Sequence, residues 1–284
     1  MRAFTFSGIN GAFTDINRGE ELIELVRDLR AALPAGTALN YDGIEGQDHF
    51  ISHVNWGTLL SQLGPATLLD GSPVLNAEAQ QVAPVAAAAL VQSVAGDPTE
   101  PVLLLAHSQG TNNATFTLRH LLRQSPAFFA QRAVRCLYFD PKAGPNHVQE
   151  LFVMGANLDF PFLFFQSERD LLSNQGVIGS RFIDQFHFGD HLYVADLGHG
   201  DIIDWDMLAS AKRRWLTRDE YREYLRDVGK ERMRIAQERG KPGWTTADEL
   251  RVDKYKRNYT MDTGALTPAL VGFARGNLAS KYQS

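Results

Sequence analysis

Five consecutive apolar residues, Val102 to Ala106, are followed at once by the polar stretch His107-Ser108-Gln109. A continuous apolar run of this length, bounded by polar residues, is typical of a strand buried on both faces. Such strands occur in parallel sheets that are covered by helices. The run therefore favours a layered α/β fold, and it raises the question of why a buried strand should end on a serine.

Short apolar runs alternate with helical periods over most of the chain. The runs predicted as strands are 3–6, 37–41, 102–106, 134–139, 161–165 and 191–195. The helical periods between them lie at 22–33, 76–95 and 109–124. Strands separated by helices predict a mostly parallel central sheet with helices on both faces. Ligands bind such sheets beyond the carboxyl ends of the strands.

The alternation predicts one α/β domain over residues 1–210 and a charged helical extension over 211–284. In the extension a basic row at spacing four runs beside an acidic row, which favours a solvated helix with ion pairs along it. Residues 47–73 are a candidate lid or substrate-pocket insertion, although the same apolar residues could pack in the core or against another subunit. The candidate pocket residues are Trp56, Leu59, Phe182 and Phe186.

Composition bounds the class of protein. The chain has 284 residues, a net charge of −5 and one cysteine. These values give no reason to expect a nucleic-acid partner, and they exclude an intramolecular disulfide. Cys136 lies in an apolar run and is predicted to be a buried structural residue. The sequence has no signal-peptide pattern and no apolar stretch long enough for a membrane span, so a cytoplasmic protein is expected. The oligomeric state stays open.

Ser108 is a candidate nucleophile. A tight strand-to-helix turn requires small residues two positions before and after it, and Ala106 and Gly110 meet that requirement. The turn would place Ser108 at a helix N-terminus, where the N–H of Gln109 can donate to a developing oxyanion. The alternative is a serine that caps the helix in an ordinary turn.

A serine nucleophile needs a base and a carboxylate that orients the base. His199 lies between two glycines after the last predicted strand, which leaves its backbone free to point the ring inward. Asp140 and Asp170 each follow a predicted strand, and either could supply the carboxylate. Asp140 could equally be a turn residue before a proline. His107 is adjacent to Ser108 and is assigned to packing.

A second oxyanion donor is expected from the turn after the first strand. Ile9 and Asn10 lie there between glycines, which allow the backbone to approach a substrate closely. The N–H of either residue could donate, and an ordinary tight turn is the alternative.

Metal binding is the rival chemistry. His49 with His53, and His187 with His191, have a spacing that could hold zinc on a helix. Neither pair has the glutamate of the HExxH motif. Asp201, Asp204 and Asp206 are predicted to lie at the start of a capped helix rather than to bind a cation. No metal or organic cofactor is expected.

At this point the chain resembles the α/β-hydrolase family, in particular small esterases and lipases whose nucleophile turn reads A-H-S-x-G. The resemblance covers about residues 3–210 and rests on FSGINGAF, AHSQG, FLFFQSERD and DLGHG in that order. It implies Ser108 as nucleophile, Asp170 in preference to Asp140 as acid, and His199 as base. The turn G-I-N-G departs from the family's usual oxyanion motifs, which weakens the assignment of Ile9 and Asn10.

The resemblance implies a serine hydrolase that cleaves a carboxylic ester through an acyl-enzyme, with a small-molecule or lipid ester as substrate. A thioesterase, a phospholipase or an acyltransferase would use the same machinery. A non-catalytic binding or scaffold protein on this fold is the contrasting hypothesis.

Overall fold

The computed structural model describes residues 2–8, 22, 24–28, 31, 49–52, 73–141, 151, 162–167, 192–195, 197–198, 200–211 and 213–216. The strands are β1 (Arg2–Gly8), β2 (His49–Ser52), β3 (Val102–His107), β4 (Val134–Phe139), β5 (Phe162–Ser167), β6 (Leu192–Ala195) and β7 (Arg213–Leu216). The helices are α1 (helical residues 22, 24–28 and 31), α2 (Pro73–Ser93), α3 (Gly110–Gln124), α4 (Ala127–Gln131) and α5 (Trp205–Ser210), with a 3-10 helix at Asp201–Ile203.

The strands form one sheet in the order β2-β1-β3-β4-β5-β6-β7. Strands β1 to β6 pair in parallel, and β7 pairs antiparallel with β6. The register sets Phe6 opposite Ala106, and His107 opposite Phe139. Because neighbouring parallel strands end at the same level, residues that follow β1, β3 and β4 leave the sheet side by side.

Successive residues of the central strands pack on opposite faces of the sheet, as the pleat requires. On one face Phe4, Leu104 and Tyr138 belong to a buried cluster with α2 and α3. On the other face Leu105 and Phe139 belong to a cluster with α1 and α5. Both faces are therefore covered, which is why β3 is apolar from Val102 to Ala106.

The predicted α/β architecture is confirmed at this level: a mostly parallel sheet with helices on both faces. The strands β1, β3, β4, β5 and β6 overlap the runs predicted from the sequence. Helix α2 contains Pro84 as expected. Cys136 is fully buried, and burial raises the pKa of its thiol well above the usual range, so it is a structural residue. None of the described helices combines the length and apolar character that crossing a membrane requires.

Two segments differ from the sequence-based prediction. His49–Ser52, assigned to the start of the candidate insertion, is an edge strand that pairs with β1. Arg213–Leu216, assigned to the helical extension, is the antiparallel edge strand β7. Both are four-residue edge strands, and β7 carries charged side chains that hide a strand pattern. The predicted strand at 37–41 and the extension from residue 217 onwards lie outside the described residues.

Candidate active site

The carboxyl ends of β1 and β3 form a switch point in the topology. From β1 the chain passes through α1, on one face, to the outer strand β2. From β3 it passes through α3, on the opposite face, to β4 on the other side. Adjacent strands whose connections diverge in this way leave a crevice outside their carboxyl ends, where open α/β sheets bind their ligands. Ser108 is the first residue after β3, so it lies at this switch point.

Ser108 has a left-handed backbone conformation, with φ of 53°. A residue other than glycine pays about 1–2 kcal/mol for this conformation, because its Cβ crowds the following carbonyl. The side chain is 1% exposed, and the neighbours Ala106 and Gly110 are buried. The predicted sharp turn between strand and helix is thus confirmed in its geometry, with small residues on both sides.

Helix capping does not account for the serine. The residue at the cap position of α3 is Gln109, whose side chain makes no capping hydrogen bond. The N–H of Thr111 donates to the Ser108 carbonyl over 3.1 Å, and the N–H of Asn112 donates to the Gln109 carbonyl over 2.8 Å. The hydroxyl of Thr111 also donates to the Ser108 carbonyl, over 2.7 Å. The N–H groups of Thr111 and Asn112 therefore donate to backbone carbonyls rather than to a capping hydroxyl.

Asp140 repeats the backbone conformation of Ser108 one strand away. The φ of Asp140 is 45°. Among the described residues other than glycine, Ser108 and Asp140 are the two that have a positive φ. The N–H of Ser108 donates to the Phe139 carbonyl over 3.0 Å, and the N–H of Asp140 donates to the Phe165 carbonyl over 2.8 Å. The sheet pairing thus continues through both turns.

The carboxylate of Asp140 is completely buried and is held by Ser167, the last residue of β5. The Ser167 N–H donates to Oδ1 over 2.6 Å, and the Ser167 hydroxyl donates to Oδ2 over 2.8 Å. The two oxygens of the carboxylate are thus both engaged by one residue of the neighbouring strand. Asp140 is therefore more than a turn residue before Pro141.

The chain after β6 is fixed at the same edge of the sheet. The N–H of Leu197 donates to the Ala195 carbonyl over 2.8 Å, which makes a tight three-residue turn. Leu197 is buried in the cluster on the α1 face. The Gly198 N–H donates to Asp201 Oδ2 over 3.1 Å. The Gly198 carbonyl lies 3.0 Å from the Ser167 hydroxyl, whose single proton is shared between this carbonyl and Asp140 Oδ2. Gly198 is therefore anchored through both of its backbone polar groups.

Several predicted residues cannot be compared with the structure. The acid Asp170, the base His199, the oxyanion candidates Ile9 and Asn10, and the pocket candidates Trp56, Leu59, Phe182 and Phe186 lie outside the described residues. His53, His187 and His191 lie outside them as well. Ser108, Gln109 and Asp140 are described, and they stand on neighbouring strand ends.

The rival metal interpretation loses part of its basis. His49 is in β2, so the helical spacing proposed for His49 and His53 does not apply at that position. Asp204 caps α5, with its side chain accepting from the N–H of Met207 over 2.9 Å, as predicted. Among the residues that the structure describes, no three histidine, cysteine or acidic side chains are grouped so as to hold a metal ion.

Sequence reasoning missed Ser167 and the anchoring role of Gly198 and Asp201. The contacts join residues that are 27 and 31 positions apart, from β4 to β5 and from β5 to the segment after β6. A serine at the end of an apolar strand was the available signal, and without the register of the strands its partner could not be named.

Comparison with known proteins adds no family assignment, because neither the models of protein families nor the curated proteins gave a match to this chain. The functional argument therefore rests on the residues and on their geometry.

Proposed function

We propose that this protein is a serine hydrolase of the α/β-hydrolase type that cleaves a carboxylic ester through an acyl-enzyme. The observation that carries the proposal is the left-handed conformation of Ser108 between a buried strand and the 15-residue helix α3. Strained residues other than glycine persist where the surrounding structure holds them, and they cluster at active sites. A serine in a strained strand-to-helix turn is the nucleophile geometry of this class of enzyme.

In the proposed reaction the Ser108 hydroxyl attacks the ester carbonyl while His199 accepts its proton. The N–H of Gln109 and the N–H of Ile9 or Asn10 donate to the oxyanion that develops on the carbonyl oxygen. The position of Gln109 at the N-terminus of α3 supports its part in this step. His199 returns the proton to the leaving alcohol, and water then releases the acid from Ser108.

A carboxylate must orient His199 and stabilise the imidazolium that forms. The sequence resemblance favours Asp170 for this role. The buried carboxylate of Asp140, one strand from Ser108, makes Asp140 the competing candidate. Separate Asp170→Asn and Asp140→Asn variants distinguish the two. Substitution of the carboxylate that orients His199 should lower kcat roughly 10⁴-fold, whereas substitution of the other should leave kcat largely intact.

The direct test is labelling with a fluorophosphonate probe, combined with hydrolysis of p-nitrophenyl esters of increasing chain length. We expect the protein to be labelled, and we expect Ser108→Ala to abolish both labelling and hydrolysis. The chain-length dependence then reports on the acyl pocket, for which Trp56, Leu59, Phe182 and Phe186 are the candidates.

A non-catalytic binding or scaffold protein would give the opposite result. It would be neither labelled nor able to hydrolyse any ester of the panel, although it would be folded. Thioesters, phospholipids and alcohol acceptors extend the panel to the related activities that the same machinery could support.

A further inference from the structure

The last residue of β5 joins two parts of the candidate site. The Ser167 hydroxyl lies 2.8 Å from Asp140 Oδ2 on one side and 3.0 Å from the Gly198 carbonyl on the other. The Ser167 side chain is completely buried, and so is its contact with Asp140, whereas the contact with Gly198 is partly buried. A hydrogen bond to a buried charged group contributes more than one at the surface. The hydroxyl is thus a buried link between the end of β4 and the segment after β6.

The contact with Gly198 acts on the residue that follows it. The carbonyl of Gly198 belongs to the same planar peptide group as the N–H of His199, so fixing that carbonyl fixes the plane on which His199 begins. The N–H of Gly198 is held on the opposite side by Asp201 Oδ2, over 3.1 Å. Both peptide groups that flank Gly198 are therefore oriented, one by Ser167 and one by Asp201.

The glycine itself is required by this arrangement. A Cβ atom on Gly198 would lie 2.9 Å from Asp201 Oδ2 and 3.6 Å from its carboxyl carbon. The first distance is well inside van der Waals contact, so a side chain would push away the carboxylate that holds the N–H.

We infer that Ser167 is a positioning residue, which together with Gly198 and Asp201 sets the orientation of His199 relative to Ser108. The inference rests on the proposed function, since it assigns His199 the role of base. Ser167 acts on a fixed peptide plane and touches no reacting atom. Its contact with Asp140 ties the same peptide to a strand end adjacent to that of Ser108, so the two reacting segments keep their relative position.

The experiment compares Ser167→Ala and Ser167→Cys in the full chain, using the rate of fluorophosphonate labelling and the kcat and KM for a p-nitrophenyl ester. The cysteine variant keeps the size of the side chain but has only a weak donor. We expect both variants to lose roughly 10- to 100-fold in labelling rate and in kcat, because misplacing a reacting group by about 1 Å has a cost of this size. KM should stay within about twofold, because ester binding is not altered.

Ser93→Ala is the matched control. Its hydroxyl also donates to a backbone carbonyl over 3.0 Å, that of Leu90, but it lies in the last turn of α2, remote from the carboxyl ends of the strands. This variant should match the wild type in labelling rate and in kcat. Ser167→Thr keeps a hydroxyl, and it should recover most of the kcat that Ser167→Ala loses.

Gly198→Ala tests the other side of the same peptide, and it should lower kcat in the same way. If Ser167→Ala does not fold, Ser167→Cys and Gly198→Ala carry the test. Wild-type labelling rates in the folded Ser167 variants would overturn the inference. The inference would also be overturned if a smaller fraction of the variant protein were labelled while the labelled molecules reacted at the wild-type rate. Failure of the wild type itself to be labelled would instead overturn the proposed function.

Discussion

The strand ends after β3 and β4 use one backbone conformation for two different side chains. Ser108 and Asp140 both have a positive φ, and both still donate their N–H to the next strand. Ser108 then enters α3 and lies at its N-terminus, whereas Asp140 precedes Pro141 and its carboxylate is held by Ser167. Left-handed residues therefore follow two neighbouring strands. They indicate that the fold tolerates backbone strain at the edge of the sheet where these two polar residues lie. The difference predicts that Ser108 matters for reaction and Asp140 for the integrity of the edge.

Ser108→Ala is expected to give the largest effect in the molecule. Loss of the proposed nucleophile should lower kcat for ester hydrolysis by roughly 10⁶-fold. The free energy of unfolding, measured in urea, should change by less than about 1 kcal/mol, because Ser108 is not the cap residue of α3 and alanine adds no atoms to the turn. An equally inactive but strongly destabilised variant would contradict the division of roles between the two turns.

Asp140→Ala should show the opposite pattern in stability. The change leaves the N–H of Ser167 without its acceptor, whereas the Ser167 hydroxyl keeps the Gly198 carbonyl as a partner. A buried donor that loses its acceptor costs about 1–3 kcal/mol, so we expect urea unfolding to show a loss of about 2 kcal/mol. Asp140→Asn retains one acceptor oxygen and should lose about half as much. Equal stability of Asp140→Ala and the wild type would show that the contacts with Ser167 do not support the edge of the sheet.

The central part of this contrast was accessible from the sequence. The largely apolar runs at 102–106 and 134–139 predicted buried parallel strands, because strands covered on both faces carry such runs. Ala106 and Gly110 predicted a sharp turn at Ser108, because larger residues would not fit beside it. The edge strands β2 and β7 were missed, since an edge strand is not covered on both sides and does not need an apolar pattern.

The contacts of Asp140 could not be predicted in the same way. Asp140 followed by Pro141 reads as an ordinary turn, and its partner Ser167 is 27 positions further along the chain. Their contact depends on the register of β4 against β5, which sets Phe139 opposite Phe165. A shift of this register by one residue would move the whole set of side chains to the other face. Local sequence signals identify strand ends, whereas the pairing of strands decides which polar side chains meet there.

Glycine substitutions sharpen the comparison by testing the strain directly. Ser108→Gly should be about 1 kcal/mol more stable than Ser108→Ala in urea unfolding, because glycine adopts a positive φ without a Cβ clash. The free energy of unfolding of Asp140→Gly should exceed that of Asp140→Ala by a similar amount, although both variants lack the carboxylate. At a position with negative φ, such as Ala114 within α3, glycine should instead be less stable than alanine. If alanine were more stable than glycine at all three positions, the turns at Ser108 and Asp140 would not be strained.

The smallest expected effect concerns the hydroxyl that braces the Ser108 turn. Thr111 donates its hydroxyl to the Ser108 carbonyl over 2.7 Å, and Thr117 donates its hydroxyl to the Asn113 carbonyl over 2.8 Å, later in the same helix. Thr111→Val and Thr117→Val each remove one buried hydrogen bond, so each should lower the free energy of unfolding by about 1 kcal/mol. Of the two threonines, only Thr111 contacts Ser108, the proposed nucleophile. We therefore expect Thr111→Val alone to lower kcat, by roughly threefold, as a slightly displaced hydroxyl would. Because the two variants are matched in chemistry and burial, an equal loss of kcat in both would assign the effect to the helix rather than to the turn at Ser108.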